Sequence, residues 1–363
     1  MQRILHVTQA MNGGCLQSVA TICKCLSGKA ELYVLHARQP ETPDDLYTLY
    51  PRDVTFIEWQ AGREINPLKD WASLRQLKRV VAEIQPDIIH AHSSKAGALV
   101  RLAFPAGRAP AVCYSPRGYA FLRRDVPAPM RGLFHALEWV LGRTGGLTIA
   151  CGVGEYSLAI RHARHAILIE NSVPMPDMPG RTHEARAPGV LDVVTAGRIS
   201  PQKNFPQFVD VARRLETDNI NFTWIGDGEH IDRGALPKNV TITGWLPRAQ
   251  VLERLTGADL YLQTSRWEGL SLALIEAMML GLPLLANPCI GNNELIVDGE
   301  NGYLCDSTDA FVQRLRACRD DRTHLADMGR ESRRMAMSRY TIEHAAPRWR
   351  SLYRFIGRYQ TYS

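Results

Sequence analysis

Residues 258–286 read ADLYLQTSRWEGLSLALIEAMMLGLPLLA, and we call them the decisive stretch because they carry the strongest fold signal. Its apolar run 258–263 predicts a strand, 269–280 predicts a helix that is apolar nearly all round, and 283–286 predicts a second strand. A helix of this kind must be buried. A strand, a helix and a strand in close succession form a parallel β-α-β unit.

The same alternation runs along the whole chain, so the predicted fold class is α/β with parallel sheets covered by helices on both faces. The predicted strands are 3–8, 31–36, 54–58, 87–91, 110–115, 147–151, 190–196, 220–225, 239–243, 258–263 and 283–286. The predicted helices include 14–27, 71–84, 95–105, 128–142, 204–216, 247–256, 269–280, 308–319 and 341–358.

A segment rich in Pro and Gly, residues 174–189, interrupts the alternation and indicates a linker. It separates a doubly wound, Rossmann-like domain over 1–173 from a second one over 190–344. Two such domains create a cleft, and ligands of open α/β sheets lie beyond the carboxyl ends of the strands. We therefore expect the chemistry where strands pass into helices.

Composition is that of a soluble globular protein, with 45% hydrophobic and 22% charged residues among 363. We see no apolar run long enough to cross a bilayer and no signal peptide at the start. The eight cysteines are scattered without paired zinc spacing. These features favour a cytoplasmic protein with reduced thiols.

The net charge of +6 is concentrated in the first half, where residues 1–180 hold 20 Lys and Arg against 15 Asp and Glu. This balance suits an anionic partner, such as a phospholipid surface or a phosphorylated acceptor, and equally a generally solvated basic surface. It is too diffuse to indicate nucleic-acid binding.

The decisive stretch contains two carboxylates, Glu268 and Glu276. If the span from Glu268 to Glu276 were helical, they would lie ~12 Å apart along the axis and ~80° apart around it. They could then hold the two ends of one elongated, polyhydroxylated ligand. Between them, the backbone N–H groups of Gly269, Leu270 and Ser271 would offer the positive end of a helix to a phosphate. Glu276 in so apolar a helix needs a partner or a ligand.

Two cations lie at another strand-to-helix junction. Arg198 and Lys203 flank the turn after the predicted strand 190–196, where they could clamp a diphosphate. In the first domain, Gly13 and Gly14 open a helix and would let the backbone approach a phosphate or sugar, although a plain tight turn explains them equally well.

Residues 90–97 pass from a strand into a helix and could line an acceptor pocket with His92, Ser94 and Lys95. Ser93 or Ser94 could instead only cap the helix. We expect His90 and His92 to face opposite sides of the strand, which argues against a metal pair.

A basic and apolar segment follows the next strand. Arg117 could pair with an acceptor phosphate. The residues after it offer either a monotopic membrane patch or, as the favoured alternative, a helix packed on its own domain. The patch would comprise Phe121, Leu122, Met130, Leu133, Phe134, Leu137, Trp139, Val140 and Leu141 with Arg123, Arg124 and Arg131.

Taken together, these residues resemble the retaining glycosyltransferases of family 4, which have the GT-B fold. The resemblance rests on the stretch from Glu268 to Glu276, the 197–203 segment, Gly226-Asp227-Gly228, Asp259 and residues 298–302. Residues 90–97 and 115–119 are similar to members that build bacterial capsule, exopolysaccharide or O-antigen on lipid-linked sugars at the inner leaflet.

The resemblance implies a role for each site residue. Arg198 and Lys203 would hold the diphosphate and stabilise the leaving group, and Glu276 would bind the ribose. Glu268 would bind hydroxyls of the donor sugar, beside the backbone of Gly269 to Ser271.

The resemblance also implies that Gly14 would approach the diphosphate and that a final helix, about 345–363, would return to the first domain. The chain departs from the family at Arg117, where many members carry a His that contacts the donor sugar. Arg117 would either replace that hydrogen-bond donor or bind an acceptor phosphate.

The resulting hypothesis is a retaining transfer from a nucleotide diphosphate sugar, with UDP favoured, to a lipid-linked saccharide. The protein would be cytoplasmic, with a peripheral position on the inner face of the plasma membrane left open. No Asp-x-Asp motif occurs, so we expect neither a metal nor another cofactor. Two alternatives stay open: a UDP-sugar 2-epimerase on the same fold, and a non-catalytic partner of a polysaccharide assembly complex.

Overall fold

The computed structural model describes residues 1–39, 42–43, 45–62, 64–105, 110–175, 189–229 and 231–359, with backbone only for 357–359. The chain divides into two compact units. The first unit comprises Met1–Val173 and Ile342–Ser363, and the second comprises Pro174–Thr341. Most of the predicted linker 174–189 lies outside the described residues.

The first unit is built on a seven-stranded parallel sheet of order β3-β2-β1-β4-β5-β6-β7. Its strands are β1 (Gln2–Thr8), β2 (Ala30–His36), β3 (Val54–Glu58), β4 (Ile88–His92), β5 (Ala111–Ser115), β6 (Leu147–Ala150) and β7 (Ala166–Leu168). Its helices are α1 (Gly13–Leu26), α2 (Pro67–Ile84), α3 (Ser94–Ala103), α4 (Ala128–Thr144), α5 (Val153–His162) and α11 (Ile342–Tyr359).

The sheet of the first unit is buried on both faces, as an all-parallel sheet requires. Alternate residues of β1 enter different cores: Ile4 lies in a cluster with α1 and α11, whereas Leu5 and Val7 lie in one with α2 and α3. The side chains of Trp349 and Tyr353 place α11 in the first of these cores. The expected return of the final helix to the first domain is therefore confirmed.

The second unit is built on a six-stranded parallel sheet of order β10-β9-β8-β11-β12-β13. Its strands are β8 (Leu191–Ala196), β9 (Ile220–Ile225), β10 (Val240–Ile242), β11 (Leu260–Gln263), β12 (Leu284–Ala286) and β13 (Gly302–Leu304). Its helices are α6 (Phe205–Arg214), α7 (Arg248–Gly257), α8 (Leu272–Met279), α9 (Thr308–Asp320) and α10 (Arg322–Arg339). The predicted fold class, with two doubly wound parallel sheets, is confirmed.

The decisive stretch forms the unit β11-α8-β12, with one correction. The helix begins at Leu272 and not at residue 269, because the Ser271 side chain accepts the N–H of Leu274 as an N-cap. The preceding residues form a loop whose Gly269 carbonyl packs on Gly291. Glu268 therefore precedes the helix, and the axial distance expected for a continuous helix does not apply.

Among the described residues, none of the helices has the length and apolar character that a bilayer span requires.

Candidate functional site

The second unit brings Lys203 and Glu268 together at one edge of its sheet. Lys203 lies two residues before α6, which follows β8, and Glu268 lies in the loop after β11. Since β8 and β11 are neighbouring parallel strands, their carboxyl ends meet at the same edge. The Nζ of Lys203 lies 2.9 Å from Oε1 of Glu268, and the two side chains are only 19% and 10% exposed.

Two glutamines that the sequence analysis did not single out hold this pair. Gln202 donates through Nε2 to Oε2 of Glu268 at 3.2 Å. The Oε1 of Gln263 accepts from the Ser271 hydroxyl at 3.1 Å and lies 3.5 Å from Nζ of Lys203. Both oxygens of Glu268 thus have a donor, and Ser271 is tied to the same network.

Lys203 is a fixed cation. Burial opposes its charged form, but Glu268, with smaller contributions from Tyr261 and Cys289, outweighs burial and holds the pKa of Lys203 above its usual value. The ammonium group is therefore charged throughout the neutral range and can stabilise an anion without a change of protonation.

Glu276 has a protein partner, Arg248, which the sequence analysis also missed. The guanidinium donates through Nη1 and Nη2 to the two carboxylate oxygens at 2.9 and 2.7 Å. Burial opposes the charge of Arg248, but Glu276 outweighs it and raises the pKa of Arg248. Glu276 is partly buried, so the expectation that it needs a partner is confirmed. The sequence signal that could have indicated this pairing was an Arg at the first position of a helix, immediately after Pro247.

Arg198 lies exposed in the turn after β8. That turn packs backbone against backbone on the neighbouring turn, since a Cβ added to Gly226 would lie 2.3 Å from the Gly197 carbonyl oxygen. Both glycines have positive φ, +137° and +135°. The backbone conformation of the turn that contains Arg198 is therefore tightly constrained.

Two residues of the family pattern have structural contacts. Asp259 is fully buried, accepts the backbone N–H of Asp192 at 3.0 Å and pairs with Arg322 at 2.8 Å. Asp298 accepts the N–H of Leu304 at 2.8 Å. These contacts hold turns of the second unit.

In the first unit, Arg117 has a left-handed backbone, with φ of +58°. Its Nη1 donates to Oδ1 of Asn171, which also accepts from the Ser18 hydroxyl at 3.3 Å. Its Nε and Nη2 are buried without a hydrogen-bond partner among the described residues. The acceptor-phosphate role of Arg117 stays a prediction.

The expectation that His90 and His92 face opposite sides of β4 is wrong. Residues two apart in a strand share a face, and His6 of the neighbouring β1 joins them. Nδ1 of His6 lies 3.0 Å from Nε2 of His92, and Nδ1 of His90 lies 2.6 Å from the hydroxyl of Tyr353. All three rings are fully buried.

Burial keeps this histidine cluster, His6, His90 and His92, neutral. Desolvation, with a smaller effect of the Arg117 charge, lowers the pKa of His6 to about 3. The pKa of His90 and of His92 is lowered well below 6.5 by burial first and then by neighbouring rings and Arg117. The ring nitrogens lie within 4.8 Å of one another, but the Arg117 charge opposes a metal cation there.

The other predicted residues of the first unit lie at helix starts. Gly13 and Gly14 are exposed at the first turn of α1, and Gly13 has φ of +47°. The Ser94 hydroxyl accepts the N–H of Ala120 at 3.2 Å. Lys95 pairs with Asp70 at 2.7 Å.

Two family models match the chain in succession. "Glycosyl transferase 4-like domain" matches residues 13–167, and "Glycosyl transferases group 1" matches residues 183–335. The chain is 26% identical over 319 residues to the Escherichia coli UDP-Gal:alpha-D-GlcNAc-diphosphoundecaprenol alpha-1,3-galactosyltransferase, covering 80% of this chain and 81% of that protein. It is 24% identical to an uncharacterized 41.2 kDa protein in the cps region of Klebsiella pneumoniae, covering 85% and 87%.

Solved structures share the fold. Sucrose-phosphate synthase from Thermosynechococcus elongatus superposes with a TM-score of 0.82 at 16% identity, covering 98% of this chain and 99% of that one. Anabaena HepE in complex with UDP-glucose superposes with a TM-score of 0.74 at 17% identity, covering 97% and 99%.

The two doubly wound units have the GT-B fold, and the two matched family models identify the chain as a glycosyltransferase. Within that class, the matched models assign the chain to the family 4 type, to which it belongs.

Proposed function

We propose that the protein transfers a sugar from a UDP-sugar to a hydroxyl of a lipid-linked saccharide, with retention of anomeric configuration, in bacterial surface-polysaccharide biosynthesis. The observation that carries this proposal is the charged Lys203 held against Glu268 at the strand edge of the second unit. The name of the E. coli relative supports both the UDP donor and the lipid diphosphate acceptor.

The chemical step needs stabilisation of a departing diphosphate. The bond from the anomeric carbon to the diphosphate oxygen breaks, and its electron pair stays on that oxygen. The acceptor hydroxyl forms the new bond and its proton passes to the departing phosphate. Lys203 and Arg198 stabilise the negative charge that grows on the diphosphate, a form of electrostatic catalysis.

Glu268 and Glu276 orient the donor in this proposal. Glu268 accepts hydrogen bonds from the sugar hydroxyls, and the backbone of Gly269, Leu270 and Ser271 faces the phosphates. Glu276 accepts from the ribose hydroxyls while Arg248 holds its carboxylate in a fixed orientation. An oriented carboxylate loses less entropy when the donor binds.

The proposed acceptor contacts belong to the first unit. Ser94 and Lys95 stand at the start of α3, and Arg117 follows β5. His92 is fully buried, so we assign it a supporting position behind this loop and not a contact with the acceptor. Gly13 and Gly14 keep the start of α1 open for an anionic group.

The testing experiment incubates the purified protein with a panel of UDP-, GDP- and ADP-sugars and a diphosphate-lipid-linked N-acetylglucosamine. We expect a UDP-sugar to yield a lengthened lipid saccharide whose new linkage has the donor's anomeric configuration by NMR. Excess chelator should leave the rate unchanged, because no metal is assigned a role. An inverted product, or loss of activity with chelator, contradicts the corresponding part of the proposal.

The same reaction mixture tests the alternatives. Appearance of the 2-epimer of the donor without a lengthened lipid would establish an epimerase. Thermal stabilisation by a UDP-sugar, with no turnover on any lipid acceptor, would establish a non-catalytic partner. The Glu276→Ala variant serves as the binding control, since it removes the proposed ribose contact.

A further inference from the structure

Helix α4 exposes apolar side chains along most of its length. The exposed side chains are Met130 (40%), Leu133 (58%), Leu137 (40%), Trp139 (48%) and Val140 (49%), and we call these five residues the α4 surface. Single exposed apolar residues are common on proteins, but a contiguous patch marks an interaction site.

The spacing shows that four of these five residues share one side of the helix. Met130, Leu133, Leu137 and Val140 recur every three or four residues and therefore form one row. The buried residues of α4 are Glu138, Leu141 and Gly142. The helix thus packs on its unit through a narrow strip, and its apolar side is left uncovered.

The flanking helices also expose apolar side chains. Helix α4 packs against α3 and α5. Leu102 of α3 is 61% exposed and Ile160 of α5 is 55% exposed. Three adjacent helices of the first unit therefore present apolar side chains to solvent.

The charge around the patch is positive. Residues 118–165 contain six arginines and three acidic residues. Of the acidic residues, Glu138 is buried against Arg101 at 2.8 Å and Glu155 is buried against backbone N–H groups. The third, Asp125, pairs with Arg123 at 2.8 Å. The net exposed charge of this region is therefore positive, because the charge of the exposed Asp125 is matched by Arg123.

Trp139 and Arg143 combine both properties. The Arg143 guanidinium lies 3.9 Å from the centroid of the Trp139 ring, and both side chains are exposed. An aromatic ring beside a cation suits the boundary between acyl chains and phosphate groups.

We propose that the α4 surface docks the protein on an anionic phospholipid bilayer. The apolar row enters the interface between headgroups and acyl chains, and Arg124 and Arg143 lie at the lipid phosphates. A second copy of this chain is the poorer occupant, because a two-fold contact would bring like charges of the same arginines together. The inference stands on the α4 surface and does not depend on the proposed transfer reaction.

The test is co-sedimentation of the full chain with vesicles of phosphatidylcholine, with and without phosphatidylglycerol. We expect binding to the anionic vesicles that weakens as salt rises, because phosphate attraction is screened. A Leu133→Asp/Val140→Asp variant should bind at least about tenfold more weakly, since each change removes apolar burial and adds a repelled charge.

The matched control is Leu68→Asp on α2, an apolar residue that is 83% exposed and outside the α4 surface. It should bind anionic vesicles like the unchanged protein. Circular dichroism and Tm must show that every variant is folded. Arg143→Glu should weaken binding to anionic vesicles more than binding to neutral ones.

Three outcomes would overturn the proposal. These are absence of binding to anionic vesicles, equal binding of the double variant, or a dimer in light scattering that the double variant abolishes without any vesicle binding. Transfer to a water-soluble acceptor analogue, measured in parallel, should be the same for all these variants. Failure of the transfer reaction would therefore count against the proposed function and not against the membrane surface.

Discussion

The two units place charged groups at equivalent strand edges but satisfy them differently. In the second unit, Lys203 meets Glu268 and Arg248 meets Glu276, and each carboxylate oxygen has a donor. In the first unit, Arg117 has one hydrogen bond and two buried nitrogens without a partner in the described chain, beside neutral histidines.

This difference indicates which property the charged groups at each sheet edge contribute. A paired and partly exposed cation such as Lys203 can exchange part of its interaction with Glu268 for a diphosphate at small cost. Protonation of the neutral, fully buried histidine rings, in contrast, would destabilise the folded state. We therefore expect catalysis to depend on the second unit and acid sensitivity to depend on the first.

The largest expected effect concerns acid and the histidine cluster. The pKa of each ring is lowered in the folded state, so below about pH 6.5 the unfolded chain binds protons that the folded chain does not. Stability is therefore lost as the pH falls through this range. At pH 5.5 the three rings together should cost on the order of 4 kcal/mol of stability.

Thermal unfolding between pH 7.5 and 5.5 measures this loss. A His6→Leu variant should lose less stability between pH 7.5 and 5.5 than the unchanged protein. The control is His165→Gln, at an exposed histidine, which should lose as much stability over this interval as the unchanged protein. A Tm that is independent of pH over this range would show that the cluster is not held neutral.

The next effect concerns Lys203. Lys203→Met removes the cation that stabilises the leaving group, and kcat should fall by about 10²- to 10³-fold. Lys238→Met, at another lysine of the second unit, should leave kcat unchanged. An equal loss in both variants, or none in Lys203→Met, would remove Lys203 from the mechanism.

A smaller effect is expected at Arg248. Arg248→Ala releases the Glu276 carboxylate from its two hydrogen bonds, so KM for the UDP-sugar should rise about tenfold while kcat changes less. Arg254→Ala on the same helix is the matched control. If KM falls instead, Arg248 competes with the donor for Glu276 and does not position it.

The smallest effect is expected at Arg117. Arg117→Met removes two unpartnered buried nitrogens and leaves Asn171 with the Ser18 hydroxyl, so stability at pH 7.5 should change by less than about 1 kcal/mol. It should also lessen the acid sensitivity, because the Arg117 charge helps to lower the pKa of all three rings. A large loss of stability at neutral pH would mean that Arg117 is structurally required.

Much of the fold could be predicted from periodicity. Strand-like runs alternating with apolar helical runs indicate parallel sheets whatever the rest of the chain does. The same alternation predicts the strand-to-helix junctions that carry Lys203 and Glu268. The two-residue period of a strand also predicts that His90 and His92 lie on the same face. The expectation that they face opposite sides misapplied this period.

Several elements escaped prediction because their signals are weak. β7 and β13 are three residues long, too short for an alternation to be recognised. Helix α10 has a polar surface with few apolar positions, Leu325 and Met328 among them. Such elements form because tertiary packing buries their few apolar side chains.

Local sequence patterns suffice to predict the two parallel sheets, the strand edges at which polar residues collect, and the resemblance carried by residues 190–305. Those properties follow from local steric and hydrophobic periods. Other contacts become visible in the folded chain alone: Arg248 pairs with Glu276, Gln202 donates to Glu268, and His6 contacts His92 across 86 residues of chain. Such pairings depend on which strands become neighbours, because a side chain's partner is set by distance in space and not by spacing along the chain.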